Sequence, residues 1–124
     1  MSDDFRNAVL NYVLENSRPN DARSVLDTID KYGWTQRALM NVGDNKGKIL
    51  DEALQSRQPK TVLELGKYRS QNARTDCRCP PHSGTFLGYS SLRMASQLPK
   101  ETLIVSIEFD ATSAAVARRI HEHA

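Results

Sequence analysis

The strongest constraint on this chain is one turn written in two pieces. Thr61-Val62-Leu63-Glu64-Leu65-Gly66 has the apolar density of a buried strand and ends on glycine. Gly84-Thr85-Phe86-Leu87-Gly88-Tyr89-Ser90-Ser91 has the glycines and hydroxyls that open a helix. If residues 67–84 are left out, the pieces join as Val-Leu-Glu-Leu-Gly-Thr-Phe-Leu-Gly-Tyr-Ser-Ser. That is a strand, a Gly-x-x-x-Gly turn and a helix start. In α/β chains this arrangement aims backbone N–H groups and a helix N-terminus at a nucleotide-like ligand.

The flanking patterns place the turn in a larger order. Phe5, Val9, Tyr12 and Val13 recur at helical spacing over residues 3–16, with Asp3 or Asp4 available as cap. Residues 16–21 break that helix. Asn20 or Asp21 then caps a second one, with Val25, Leu26 and Ile29 on one face and an end near Tyr32-Gly33. Residues 34–43 read as a short helical piece and a loop. Asp44 caps a third helix from about Lys46 to Ser56, with Ile49, Leu50, Ala53 and Leu54 inward. Residues 61–65 hold too few polar side chains for an exposed sheet, so a central parallel strand is expected. Residues 88–97 form a helix bearing Leu92, Met94, Ala95 and Leu98 near its end. Leu103–Ile107 is a second buried strand. Asp110 or Thr112 starts a last helix through Ala115, Val116 and Ile120. Three helices followed by β-α-β-α imply a parallel sheet with right-handed crossovers. Sheets of this kind usually have roughly four to six strands, so a missing C-terminal half is expected.

Length and composition set the class. A chain of 124 residues suits one domain. The net charge of +2 is uneven: residues 67–84 carry +3 and the remainder −1. The basic balance therefore belongs to one segment and gives no reason to expect a nucleic-acid partner. Cys77 and Cys79 are too close to pair without strain, and no other cysteine exists. No signal peptide and no membrane span can be read, so a cytoplasmic protein is expected.

The chemistry gathers at the strand ends, where ligands bind in open α/β sheets. Glu108 closes the second strand. An acid there can accept both hydroxyl protons of a ribose; the alternative is a solvated strand-end carboxylate. Glu64 lies at the end of the first strand. Ser90 falls in a first helical turn, where its hydroxyl and nearby N–H groups suit a carboxylate; the alternative is an ordinary cap.

Several of these segments, taken together, resemble the catechol O-methyltransferase family. They are Met40-Asn41-Val42-Gly43-Asp44-Asn45-Lys46-Gly47-Lys48-Ile49, Leu63-Glu64-Leu65-Gly66, Gly88-Tyr89-Ser90-Ser91-Leu92-Arg93-Met94-Ala95 and Leu103-Ile104-Val105-Ser106-Ile107-Glu108, with Ser24–Asp30 in addition. Nearly everything except 67–84 is covered. The resemblance implies a Rossmann-like α/β fold of the S-adenosylmethionine-dependent methyltransferases, here incomplete, with residues 1–124 as the N-terminal part of one domain. It implies magnesium-dependent transfer of methyl from S-adenosylmethionine to a hydroxyl of a small-molecule catechol. By position it implies that Val42, Glu64, Gly66 and Ser90 hold the methionine end. Glu108 would take the ribose, Phe109 the adenine, and Met40 the neighbourhood of the methyl and catechol. Ala38 stands where the family places an indole over the catechol; the indole in this segment is Trp34. The family's catalytic lysine and its magnesium-binding Asp, Asp and Asn are expected beyond Ala124, so catalytic and metal residues are expected to be absent from this stretch.

Residues 67–84 lack apolar periodicity and read as a disordered loop, unusually long for a compact unit. Gly66-Lys67-Tyr68 can be encoded by GGTAAGTA, which contains a splice-donor consensus, so a translated intron is one reading of the segment. A metal knuckle from Asp76, Cys77, Cys79 and His82 is another, with poor spacing for a closed zinc site. His121 and His123, two apart on a helix, are expected to face different ways and to be solvated. Two functional readings remain: a methyltransferase active in its full-length form, or a truncated, insert-bearing variant with no methyl transfer of its own.

Overall fold

The structure, a computed structural model, describes residues 4–65 and 86–124. Gly66 and the 67–84 segment lie outside the described residues, as do the expectations attached to them. The elements are α1 (Phe5–Asn16), α2 (Ala22–Thr35), α3 (Gly43–Arg57), β1 (Thr61–Leu65), α4 (Tyr89–Gln97), β2 (Leu103–Ile107) and α5 (Ala111–His123). The two strands pair in parallel, with Thr61 opposite Leu103, Glu64 opposite Ser106 and Leu65 opposite Ile107. This mixed α/β order with a small parallel sheet is the partial Rossmann-like arrangement expected. No described helix is long and apolar enough to cross a membrane.

Local chemistry sets the helix starts. Asp4 caps α1 by accepting the Arg6 N–H at 3.1 Å, and Asp21 caps α2 by accepting the Ser24 N–H at 3.0 Å. The main core lies among α1, α2, the α4 turn and α5, and includes Leu10, Val13, Ile29, Leu87, Tyr89 and Ile120. Each large apolar side chain buried there stabilises the fold by about 1.5–3 kcal/mol. A smaller cluster of Leu54, Met94 and Leu98 joins α3 and α4 to Val62 and Ile104.

Several boundaries and faces differ from expectation. Helix α2 continues through Gly33 to Thr35, and residues 36–42 are a loop with no helical piece of their own. Helix α3 starts at Gly43, so Asp44 sits in its first turn instead of capping it. Ile49 and Ala53 are exposed, because the face that α3 buries carries Gly47 and Leu54, with Leu50 partly covered. Ala95 and Ala115 are also exposed. The strands are not buried on both faces. Val62, Glu64, Ile104 and Ser106 face the helices, whereas Leu63, Leu65, Leu103, Val105 and Ile107 are 40–69% exposed. The strands carry apolar residues for two covers, and the described helices supply one.

Helix α5 is pinned at both ends. Asp110 caps it by accepting the Ser113 N–H at 2.7 Å and pairs with Arg6, whose guanidinium also donates to Ser113 Oγ at 3.0 Å. At the far end, His123 Nε2 meets Ser17 Oγ at 3.1 Å and the Asn20 N–H donates to the His123 carbonyl at 2.8 Å. The Ser113 N–H, with further help from Arg6, holds the Asp110 carboxyl below the usual aspartate range. A depressed folded-state pKa stabilises fully above the unfolded value, and that gain is lost as pH falls through the folded value. Asp110→Ala should therefore cost about 1 kcal/mol near neutral pH. In denaturant titrations at a series of pH values, the gap to the parent should close below the ordinary aspartate range. A gap that persists at the acid end would show that the charge is not involved.

Candidate functional site

The parallel pairing sets Glu64 and Glu108 at neighbouring strand ends. Glu64 lies opposite Ser106, two residues before Glu108. The Ser106 hydroxyl donates to Glu64 Oε2 at 2.6 Å, and the Ser90 hydroxyl donates to Glu64 Oε1. One carboxylate thus ties β1, β2 and the first turn of α4 together. Glu108 accepts the Phe86 N–H on Oε2 at 3.0 Å and the Asp110 N–H on Oε1 at 2.9 Å. It is thus not a merely solvated acid. It holds Phe86, a buried residue in the left-handed region at φ 46°, and it steadies the start of α5. Each oxygen keeps a second lone pair for a ligand.

Gly88 is the N-cap of α4, and no side chain caps the helix start with a hydrogen bond. Its first N–H groups are thus uncapped by side chains beside Ser90, as an anion-binding helix start requires. Gly88 has φ 78°, and a Cβ there would stand 2.5 Å from His121 Nε2. His121 Nε2 lies 2.9 Å from the Gly88 carbonyl and 3.0 Å from Ser91 Oγ. Both terminal histidines make hydrogen bonds within the fold, so they are more than the solvated pair expected, although His121 is still exposed. They do face different ways, one to α4 and one to Ser17.

A cleft of about 500 Å³ opens beside this cluster. Ser106, Glu108 and Ile104 form its β2 wall, Ser91 and Ala95 the α4 wall, and Ala117, Arg118 and His121 the α5 wall. A second hollow of about 270 Å³ lies between the end of α2 and the start of α3. Trp34, Ala38, Asn41, Val42 and Asp30 line it. Trp34 is 71% exposed and Met40 is 51% exposed, whereas Val42 packs partly against the core. Phe109, next to Glu108, is 83% exposed.

The residues singled out in the sequence fall into two groups. Glu64, Ser90 and Glu108, with Phe109 beside them, gather at the strand ends. Val42, with Met40 and Trp34, belongs to the 36–42 loop region. Gly66 is outside the described residues. The groups are joined by Tyr89, whose hydroxyl donates to Asp30 Oδ2 at 2.8 Å. Sequence reasoning missed Ser106, Tyr89, Arg93 and His121. Ser106 was detectable, as the one polar residue inside an apolar strand.

Ser106→Ala removes one of two hydroxyl donors from a partly buried carboxylate. It should lower unfolding free energy by about 1–3 kcal/mol. Chemical denaturation checks this, and an unchanged midpoint would mean that water replaces the serine fully.

Comparison with known proteins places this geometry in context. Residues 82–124 match the O-methyltransferase family. Over 117 residues the chain is 37% identical to a Mycobacterium tuberculosis protein named "Probable O-methyltransferase", covering 94% of this chain and 42% of that one. It is 33% identical to mouse catechol O-methyltransferase over 116 residues, 94% of this chain and 37% of that one. It is 34% identical to the Bos taurus catechol O-methyltransferase over 116 residues, 94% of this chain and 36% of the relative. The chain thus spans about two fifths of the length of these relatives.

Proposed function

From the similarity to O-methyltransferases over most of the chain, we propose that it belongs to that family and that the Glu64–Ser90–Glu108 cluster is the S-adenosylmethionine-binding part of an O-methyltransferase. Its acceptor is a small-molecule catechol, and transfer belongs to the full-length protein. The observation that carries the reading is the pair of acids at adjacent parallel strand ends, with an uncapped helix start beside them. When bound, S-adenosylmethionine supplies an electrophilic methyl on a sulfonium.

The chain's residues suit the two ends of that cofactor. Glu108 has spare lone pairs to accept the two hydroxyl protons of a ribose, while the Phe86 and Asp110 N–H groups fix its direction. The first turn of α4 offers N–H groups and the Ser90 hydroxyl to a carboxylate. Glu64 can accept from an ammonium, exchanging part of its bonding to Ser90 and Ser106. Phe109 is 83% exposed beside Glu108, and its aromatic ring suits an adenine. The 36–42 loop, with Val42 and Met40, belongs on the methionine and acceptor side. The catechol reading is supported by the catechol O-methyltransferases among the relatives and by exposed Trp34 and Met40 near one hollow.

Among the described residues no group of three His, Cys, Asp or Glu is placed to hold a metal ion. The described residues therefore do not form a magnesium site. Domain organisation follows the same proposal: residues 1–124 form part of one methyltransferase domain, with 67–84 inserted in its cofactor turn.

Titration calorimetry with S-adenosylmethionine tests the reading. Glu108→Gln keeps size but loses the charge, and charge-assisted hydrogen bonds contribute about 1.5–3 kcal/mol, so affinity should fall by about ten- to a hundredfold. The melting temperature should also drop modestly, because two backbone donors lose a carboxylate. Equal affinity in parent and variant would overturn the ribose assignment. Deleting residues 67–84 should tighten binding; equal affinity with and without them would make the interruption harmless.

A further inference from the structure

A polar chain, partly buried and centred on buried Tyr89, crosses three helices behind the site. Arg93 of α4 grips Asp51 of α3 with two bonds, Nε to Oδ1 at 2.9 Å and Nη2 to Oδ2 at 2.7 Å. Its Nη1 donates to the Tyr89 hydroxyl at 2.9 Å, and that hydroxyl donates on to Asp30 of α2. Tyr89 is 1% exposed, and the Arg93 and Asp51 side chains are 13% and 18% exposed. The guanidinium lies directly on Gly47, where an added Cβ would stand 2.4 Å from its Cζ. Glycine at 47 is what lets α3 and the guanidinium approach so closely.

The ends of this chain matter. Tyr89 immediately precedes Ser90, the residue bound to Glu64. Asp30 lines the hollow shared with Val42 and Asn41. Burial pushes the Asp30 carboxyl up, partly offset by the Tyr89 hydroxyl. The Tyr89 phenol is raised by burial and by Asp30, so it stays a protonated donor. The bond from Asp51 comes first among the influences that hold Arg93 charged. The chain is thus charged, directional and largely shielded from water, which suits it to fix geometry.

We infer that Arg93 is a positioning residue: acting through Tyr89, it sets the Ser90 turn against the 36–42 loop, the two walls between which the methionine end of the cofactor is placed. This rests on the proposed cofactor site. No part of Arg93 needs to touch the ligand. A bidentate guanidinium fixes both the distance and the rotation of α4 on α3, which an ammonium cannot do.

The test is Arg93→Lys in the full chain, which retains charge and loses the fork. Amide hydrogen exchange should quicken in residues 36–43 and 86–91 while α1 and α5 stay as protected as in the parent. S-adenosylmethionine should bind about tenfold or more weakly well below the melting temperature. Unchanged exchange in those two segments would overturn the inference, whatever happens to binding. Faster exchange with unchanged affinity would also overturn it, leaving Arg93 a stabilising residue only. If the parent itself binds no S-adenosylmethionine, the cofactor reading fails, and exchange alone decides whether Arg93 sets the two walls. Should the lysine variant fail to fold, Gly47→Ala dislodges the guanidinium with every polar group kept and must give the same two changes.

Discussion

The parallel pairing of β1 and β2 is the interaction on which the rest depends. Parallel strands cannot be joined by a tight turn, so the chain between them must cross over a sheet face. Here the crossover contains α4, and its first turn returns to the strand ends. Register then does the chemical work. Glu64 opposite Ser106 satisfies one acid across the ladder, and it leaves Glu108 just past the neighbouring strand end. A slip of one residue between the strands would leave Glu64 and Ser106 on opposite faces and dissolve the cluster.

The same acids serve the fold and the proposed ligand. Glu108 clamps Phe86 and Asp110, and Glu64 clamps Ser90. Carboxylates in such positions are oriented before anything binds. That lowers the ordering cost of a ligand, at some cost in the chain's own bonds when the ligand takes their place. The uncapped start of α4 fits this logic, since a side-chain cap would compete with an incoming carboxylate.

Much of this was legible in the sequence. Strand type, strand order and the acids came from apolar runs that end in Glu108 or pass through Glu64. What escaped has physical causes. Gly33 reads as a helix stop, yet α2 passes through it to Thr35, and both Tyr32 before it and Leu39 after it pack on the main core. Ile49 and Ala53 have the right spacing for an inward face, but α3 rests on α4 through Gly47 and Leu54, which rotates that face outward. The strands read as buried on both faces because their residues are apolar throughout; periodicity reports what a strand could bury, not which covers are present. The Arg93 chain was invisible because its partners, Asp30, Asp51 and Tyr89, belong to three different helices.

The central claim is that the two strand ends and the α4 turn form one nucleoside-amino-acid site. Backbone NMR titration with S-adenosylhomocysteine tests it most directly, since that ligand carries the ribose, the adenine and the amino-acid end without reactive methyl. The account predicts saturable shifts concentrated at Val42, Glu64, Leu65, Gly88–Ser90 and Ser106–Phe109, with α1 quiet. Saturable shifts confined to other surfaces, or none at millimolar ligand, would contradict it.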